Sequence, residues 1–195
     1  MDSLIPATTG KGRCPPFSLR RRFAEILRAR DGVAAIEFAM IVMPLMMLIV
    51  GIVEVGLFFA AGSVLEGASN EAARGIRIGQ TQLAGDPEAT FAESFCDHAS
   101  KMIDCDRVQY EVINIAEGTF AASDGYEPAY DADGNLIPQP FSAGNANDII
   151  MIRAIYRHEF FTPWMGELMT GDINRNWMDH MSTVVLKSEP YEFEE

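Results

Sequence analysis

Gly32-Val-Ala-Ala-Ile-Glu-Phe-Ala39 opens a stretch in which 16 consecutive residues, Phe38 to Val53, carry no charge, and the apolar character resumes after Glu54 as far as Ala61. A helix rises about 1.5 Å per residue, so the roughly 20 residues needed to cross a bilayer core are available between Phe38 and about Leu57. The stretch therefore predicts a single membrane-spanning helix. Glu37, at its start, needs an explanation, because a carboxylate beside hydrocarbon is costly unless a positive group lies within reach.

Charge is distributed unevenly on either side of this segment. Residues 1–32 carry seven basic residues (Lys11, Arg13, Arg20, Arg21, Arg22, Arg28, Arg30) against three acidic ones (Asp2, Glu25, Asp31), a net +4; the remainder carries 8 basic and 25 acidic residues, or −17, for the total of −13. Basic flanks stay on the cytoplasmic side, so the reading is N-terminus in and acidic C-terminal domain out. No basic patch beyond the leader could neutralise phosphates, which argues against nucleic acid as a partner.

The cysteines divide the same way. Cys14 falls on the side read as cytoplasmic, whereas Cys96 and Cys105 fall together on the outer side, where disulfides persist. A bridge between them would stabilise by roughly 2–3 kcal/mol. The competing reading is two separate buried thiols. No CxxC pair or Cys/His cluster suggests a metal.

Three readings compete for residues 1–61. A secretory signal needs an apolar core of about 7–15 residues before a small-residue cleavage site. Ala60-Ala61-Gly62 resembles such a site, but the apolar stretch is far longer and Glu54 interrupts it just before the cut. A plain uncleaved anchor would leave Glu37 as a marker of the headgroup boundary. A prepilin-type signal, cut after Gly32, would put a new amine on Val33 and make Glu37 the fifth residue of the mature chain. With a reference pKa of about 7.7–8.0 that amine is mostly protonated at neutral pH, and it lies within reach of the carboxylate, one turn away or on a neighbouring copy.

Beyond the span, Leu65, Ala68, Ala72 and Ile76 recur at helical spacing, so one long helix over 33–79 is expected, ending near Gly75 and Gly79. Pro44 inside it removes one backbone hydrogen bond and reads either as a flexible point or as a harmless membrane proline. Glu54 is expected near the outer headgroups, facing water or paired with a partner's Arg or Lys. Asp86-Pro87 predicts the start of a second helix reaching about Met102, with Phe91, Phe95, Ala99 and Met102 as its core face. Val108–Ile115, Asp148–Tyr156 and Ser182–Lys187 read as strands, antiparallel because no helical crossovers join them.

Residues 117–147 have the composition of an exposed loop or hairpin. Asp131-Ala-Asp133-Gly134-Asn135 invites comparison with a calcium loop. It fails, because glycine stands fourth rather than sixth and the twelfth position is Ser142 rather than glutamate. The fold class is thus α+β: a long N-terminal transmembrane helix, then a small extracytoplasmic domain over 80–195 with an antiparallel sheet of about three or four strands.

Arg30-Asp-Gly-Val-Ala-Ala-Ile-Glu-Phe-Ala39, followed by Met43-Pro-Leu-Met-Met-Leu48 and Gly51-Ile-Val-Glu-Val-Gly56, resembles the TadE-like family of tight-adherence (Flp-type) type IV pilus pseudopilins. The resemblance continues through Ala68-Ser-Asn-Glu-Ala-Ala-Arg-Gly75 and takes in the outer cysteine pair. It also includes the strand ending at Tyr156 before Phe160 and Pro163, and a closing Lys187-Ser-Glu-Pro-Tyr191. It implies cleavage between Gly32 and Val33 by a prepilin peptidase, and a role for Glu37 in processing or assembly. The implied setting is a bacterial inner membrane, with a sister pseudopilin, the major Flp pilin and the inner-membrane assembly platform as partners. Adhesion and biofilm formation are the processes such pili serve.

Enzyme chemistry finds no support. His98, His158 and His180 have no partners at metal-ligand spacing, and there is no phosphate loop or nucleophile elbow, so no cofactor, metal or catalytic residue is assigned. The alternative function is an uncleaved bitopic membrane protein whose outer domain binds a ligand or surface, with Tyr126, Tyr130 and Trp164 as exposed aromatics. The other role for these aromatics is to pack the loop onto the sheet.

Overall fold

The computed structural model describes residues 31–115 and 119–190. Most of the basic leader, with Cys14, lies outside the described residues, as do Glu117 and Tyr191, the last residue of the closing motif. Compactness divides the chain between Ile49 and Val50.

Helix α1 runs Asp31–Arg77, with Pro44 inside it. Its composition and length make it the one helix among the described residues able to cross a membrane. From Val33 to Ile49 its apolar side chains are almost all exposed, Phe38 at 67% and Met40 at 72%.

The unit from Val50 onward begins with the rest of α1, whose character changes at Gly51. Glu54, Phe58, Ala61, Leu65, Ala68, Ala72 and Ile76 are buried in turn, a stripe with i+3/i+4 spacing. Side chains between them, such as Ser63, Glu66 and Asn70, stay at the surface. The helix closes at Arg77 rather than Gly79, and Gly79 takes the left-handed φ of 81° that the turn requires.

Helix α2, Pro87–Ala99, starts as its sequence predicts: the Asp86 carboxylate accepts from the Ala89 N–H at 3.1 Å and Pro87 occupies the first turn. It ends sooner than Met102. The Ser100–Ile103 turn closes onto Ala99 and leaves Met102 40% exposed, while Ile103 takes the core position expected for Met102. Cys96, inside α2, is disulfide-bonded to Cys105, with Cα atoms 5.9 Å apart. A 3₁₀ turn, Cys105–Arg107, then leads into the sheet.

The sheet has three antiparallel strands in the order β1 (Val108–Asn114), β2 (Ile149–Glu159), β3 (Trp177–Lys187). Val108 pairs with Tyr156 and Asn114 with Ile150; Ile149 pairs with Lys187 and Glu159 with Trp177. β2 continues past Tyr156, and β3 begins five residues before Ser182. On one face of β2, Ile150, Ile152, Ala154 and Tyr156 join the main core with Phe91, Phe95 and the α1 stripe. On the other, Met151 and Ile149 pack with Ile113, Ile115, Ala122 and Tyr126. A strand covered on both faces reads as an unbroken apolar run, which Ile149–Ile152 is.

The second cover comes from the region expected to be an exposed loop. It holds a 3₁₀ helix, Phe120–Gly125, and buries Leu136 and Ala143. It is tied down by a buried ion pair between cross-strand neighbours Glu111 and Arg153, whose guanidinium also donates to the Tyr126 carbonyl at 2.6 Å. Residues 136–142 then follow the outer edge of β1, with the Leu136 N–H on Gln109 and the Ser142 N–H on the Val112 carbonyl. This arrangement shields that edge from other chains. Asp131 makes the expected turn: its carboxylate accepts from the Asp133 and Asn135 N–H groups and the Asn135 amide. Those bonds hold its carboxyl below the usual range.

Candidate assembly site on the long helix

Gly32, Val33 and Glu37 all lie in the first turns of α1, where Val33 is 52% exposed and Glu37 stands among exposed Ile36, Phe38 and Ile41. Val33 and Glu37 are four residues apart on a helix, hence one above the other on the same face. Pro44 follows with Met40, Met43 and Met47 around it on a wholly apolar surface. Such a surface can pack against lipid or against another apolar helix.

Glu54 is the residue of α1 that composition alone misplaces. It neither faces water nor awaits a cation: it is 2% exposed, and its carboxylate accepts from both the backbone N–H of Thr162, at 3.0 Å, and the Thr162 hydroxyl. Thr162 precedes a short third helix, α3 (Pro163–Thr170), absent from the sequence reading. The signal was there: Thr162-Pro163 is the same cap-plus-proline signature that located α2. The N–H groups at a helix start have no partners within the helix, and a carboxylate from α1 takes one of them.

Around this contact lies a cluster of aromatic rings. Phe58 stacks on Phe160, with centroids 5.7 Å apart, and packs against His180 at 4.1 Å and His158 at 5.5 Å. Met165 completes the layer. Gly62 allows the approach, since a Cβ there would lie 2.9 Å from His180 Nδ1. Burial pushes both imidazoles below their ordinary pKa; His158 lowers that of His180 further, and at His158 the Arg107 charge lowers it while Glu54 pulls the other way. Their Nε2 atoms are buried without a protein hydrogen-bond partner.

Of the aromatics considered for ligand binding, Tyr126 packs into the second core layer, whereas Tyr130 is 48% exposed and Trp164 40% exposed. Among the described residues no group of three or more His, Cys, Asp or Glu is placed to hold a metal ion.

No curated protein and no solved structure matches the chain. The cysteine pair, the sheet and the closing motif, on which the sequence resemblance also drew, lie beyond the one segment that finds a match. That segment contains Gly32, Glu37, Glu54 and the buried stripe of α1 as far as Ala73: residues 32–74 match the family described as TadE-like protein, the family that the sequence resembles.

Proposed function

We propose that the chain is a pseudopilin needed to assemble a tight-adherence (Flp-type) type IV pilus. In this reading it sits in the bacterial inner membrane, N-terminus cytoplasmic and C-terminal domain periplasmic. A prepilin peptidase removes the leader between Gly32 and Val33. The observation that carries the proposal is that the family match begins at Gly32 and holds Glu37 at the fifth position after it.

The role is architectural, not enzymatic. α1 first anchors the precursor; after cleavage its apolar surface packs against the helices of the major pilin and a sister pseudopilin, helix contact replacing lipid contact at little hydrophobic cost. The new ammonium on Val33 neutralises Glu37, either one turn away or on a neighbouring copy. Assembly is thereby coupled to processing. The disulfide between Cys96 and Cys105 fits an oxidising periplasm.

N-terminal sequencing of protein isolated from membranes tests the proposal. A mature terminus at Val33 supports it; an intact Met1 returns the chain to the uncleaved bitopic reading, and a terminus near Ser63 to a secretory signal.

A further inference from the structure

The end of the domain that carries α3 exposes large apolar side chains: Phe161 at 80%, Leu168 at 71%, Ile173 at 77% and Trp164 at 40%. A folded domain ordinarily keeps such residues inside or uses them. Here α3 has two apolar faces. Met165 and Met169 turn inward against Phe58 and Val55, which leaves Trp164 and Leu168, four residues apart, on an outward face.

The register of the domain fixes which end this is. β3 runs alongside α1 in the same direction: His180 lies against Phe58 and Gly62, and the Glu189 N–H donates to the Arg77 carbonyl. Residues that precede His180 therefore lie toward the N-terminal side of Phe58. Two contacts agree, since Thr162 meets Glu54 and a Cβ on Gly51 would lie 3.4 Å from the tip of the Trp164 ring. Gly51 is also where α1 ceases to be wholly exposed, and its neighbours Ile52 and Val53 are still 64% and 56% exposed.

We propose that α3 and the turn after it form a lipid-contacting collar, embedded in the bilayer interface at the point where α1 leaves the hydrocarbon. The inference rests on α1 crossing a membrane and adds a second point of contact from the folded domain. Chain connectivity names the occupant, because the patch adjoins the end of the apolar run. Residue type agrees: Trp and Phe sit preferentially where hydrocarbon meets headgroup. The exposed carboxylates beside the patch are Glu167, Asp172 and Glu159, the last paired with Arg107, so the surface suits zwitterionic headgroups rather than anionic ones. The collar sets the depth of the helix and limits its rotation.

The test uses the full chain in phosphatidylcholine vesicles with bromine placed on the acyl chains near the headgroup or near the bilayer centre. The chain has two tryptophans, so Trp177→Phe leaves Trp164 as the only tryptophan to be excited selectively over the tyrosines, and Trp164→Phe leaves Trp177, held between Arg157 and Arg175. The expected result is loss of Trp164 emission with the shallow bromine, little loss with the deep one, and no lipid quenching of Trp177. Ile41→Trp in a chain lacking both tryptophans reports the span itself. Quenching at position 41 without quenching at Trp164 overturns the collar and leaves the span standing; quenching at neither overturns both. A disulfide-linked dimer through Leu168→Cys, together with an unquenched Trp164, would assign the patch to a second copy and likewise overturn the collar.

Discussion

Glu54 and Thr162 are 108 residues apart in sequence, yet one carboxylate satisfies two donors of that threonine in a buried setting. Glu54→Ala leaves the Thr162 N–H unpaired and is expected to cost about 1–3 kcal/mol, whereas Glu54→Gln keeps an acceptor and costs less. Chemical denaturation of the purified chain in detergent measures both, and equal losses would mean that the contact acts by packing alone. His158 and His180 add a pH dependence whose sign follows from burial. Their pKa values are lowered in the folded state from about 6.5, so the unfolded chain binds protons first as pH falls. Stability is therefore full above about 6.5 and declines as pH drops from there through the folded pKa values. Replacing both histidines with Gln should therefore flatten the decline of melting temperature between about pH 7 and 5. Glu37 answers a different measurement: Glu37→Ala should leave membrane insertion intact and impair pilus assembly or processing, and unchanged levels of both would end the role proposed for it.

At the scale of elements, α3 is held by backbone proximity as much as by side chains. A Cβ on Gly166 would lie 2.6 Å from the Asn176 Cα and 2.8 Å from the Arg175 carbonyl oxygen, backbone atoms pinned by the bonds between Asn176 and Phe160. Gly166→Ala should cost about 1–3 kcal/mol as an overpacking change, read as a lower melting temperature and faster proteolysis in the Gly171–Asn176 turn. The elements legible in sequence were those with long periods or explicit caps: the α1 stripe, the start of α2, the centres of all three strands. What escaped was local structure completed by distant partners. The first residues of β3 include Asp179 and His180 and did not alternate cleanly; Asp179 is matched by Arg157 directly across the ladder, at 3.1 Å, and Trp177 by the same guanidinium stacked 3.7 Å from its ring centre. Likewise the pairing of Glu111 with Arg153 is invisible in sequence, since only the register of β1 on β2 makes them neighbours. Gly32, Val33 and Glu37 were legible as candidates because their spacing singles them out. Glu54 was not, because hydropathy cannot distinguish a helix face turned to lipid from one turned to a protein core.

For the molecule as a whole, that ambiguity means one helix serves two environments. As far as Val53 its large apolar residues are almost all exposed, whereas Ala61, Leu65, Ala68, Ala72, Ala73 and Ile76 form one wall of the core that covers Phe91, Phe95, Ile150 and Ile152. Truncating a buried Leu or Ile to Ala costs about 2–5 kcal/mol. Leu65 and Ile76 together thus approach the roughly 5–15 kcal/mol that holds a whole domain folded. A chain beginning at Gln80 would lose both, with four alanines and the Glu54–Thr162 contact besides, and should show no cooperative thermal transition. A chain beginning at Val50 keeps the entire stripe and should melt cooperatively, near the midpoint of the full-length protein in detergent. Cooperative melting of the shorter chain would mean that α2 and the sheet fold without α1. If it fails as expected, the second half of α1 belongs to the folded domain, because the core closes only when the Ala61–Ile76 stripe is present to cover Phe91, Phe95 and β2.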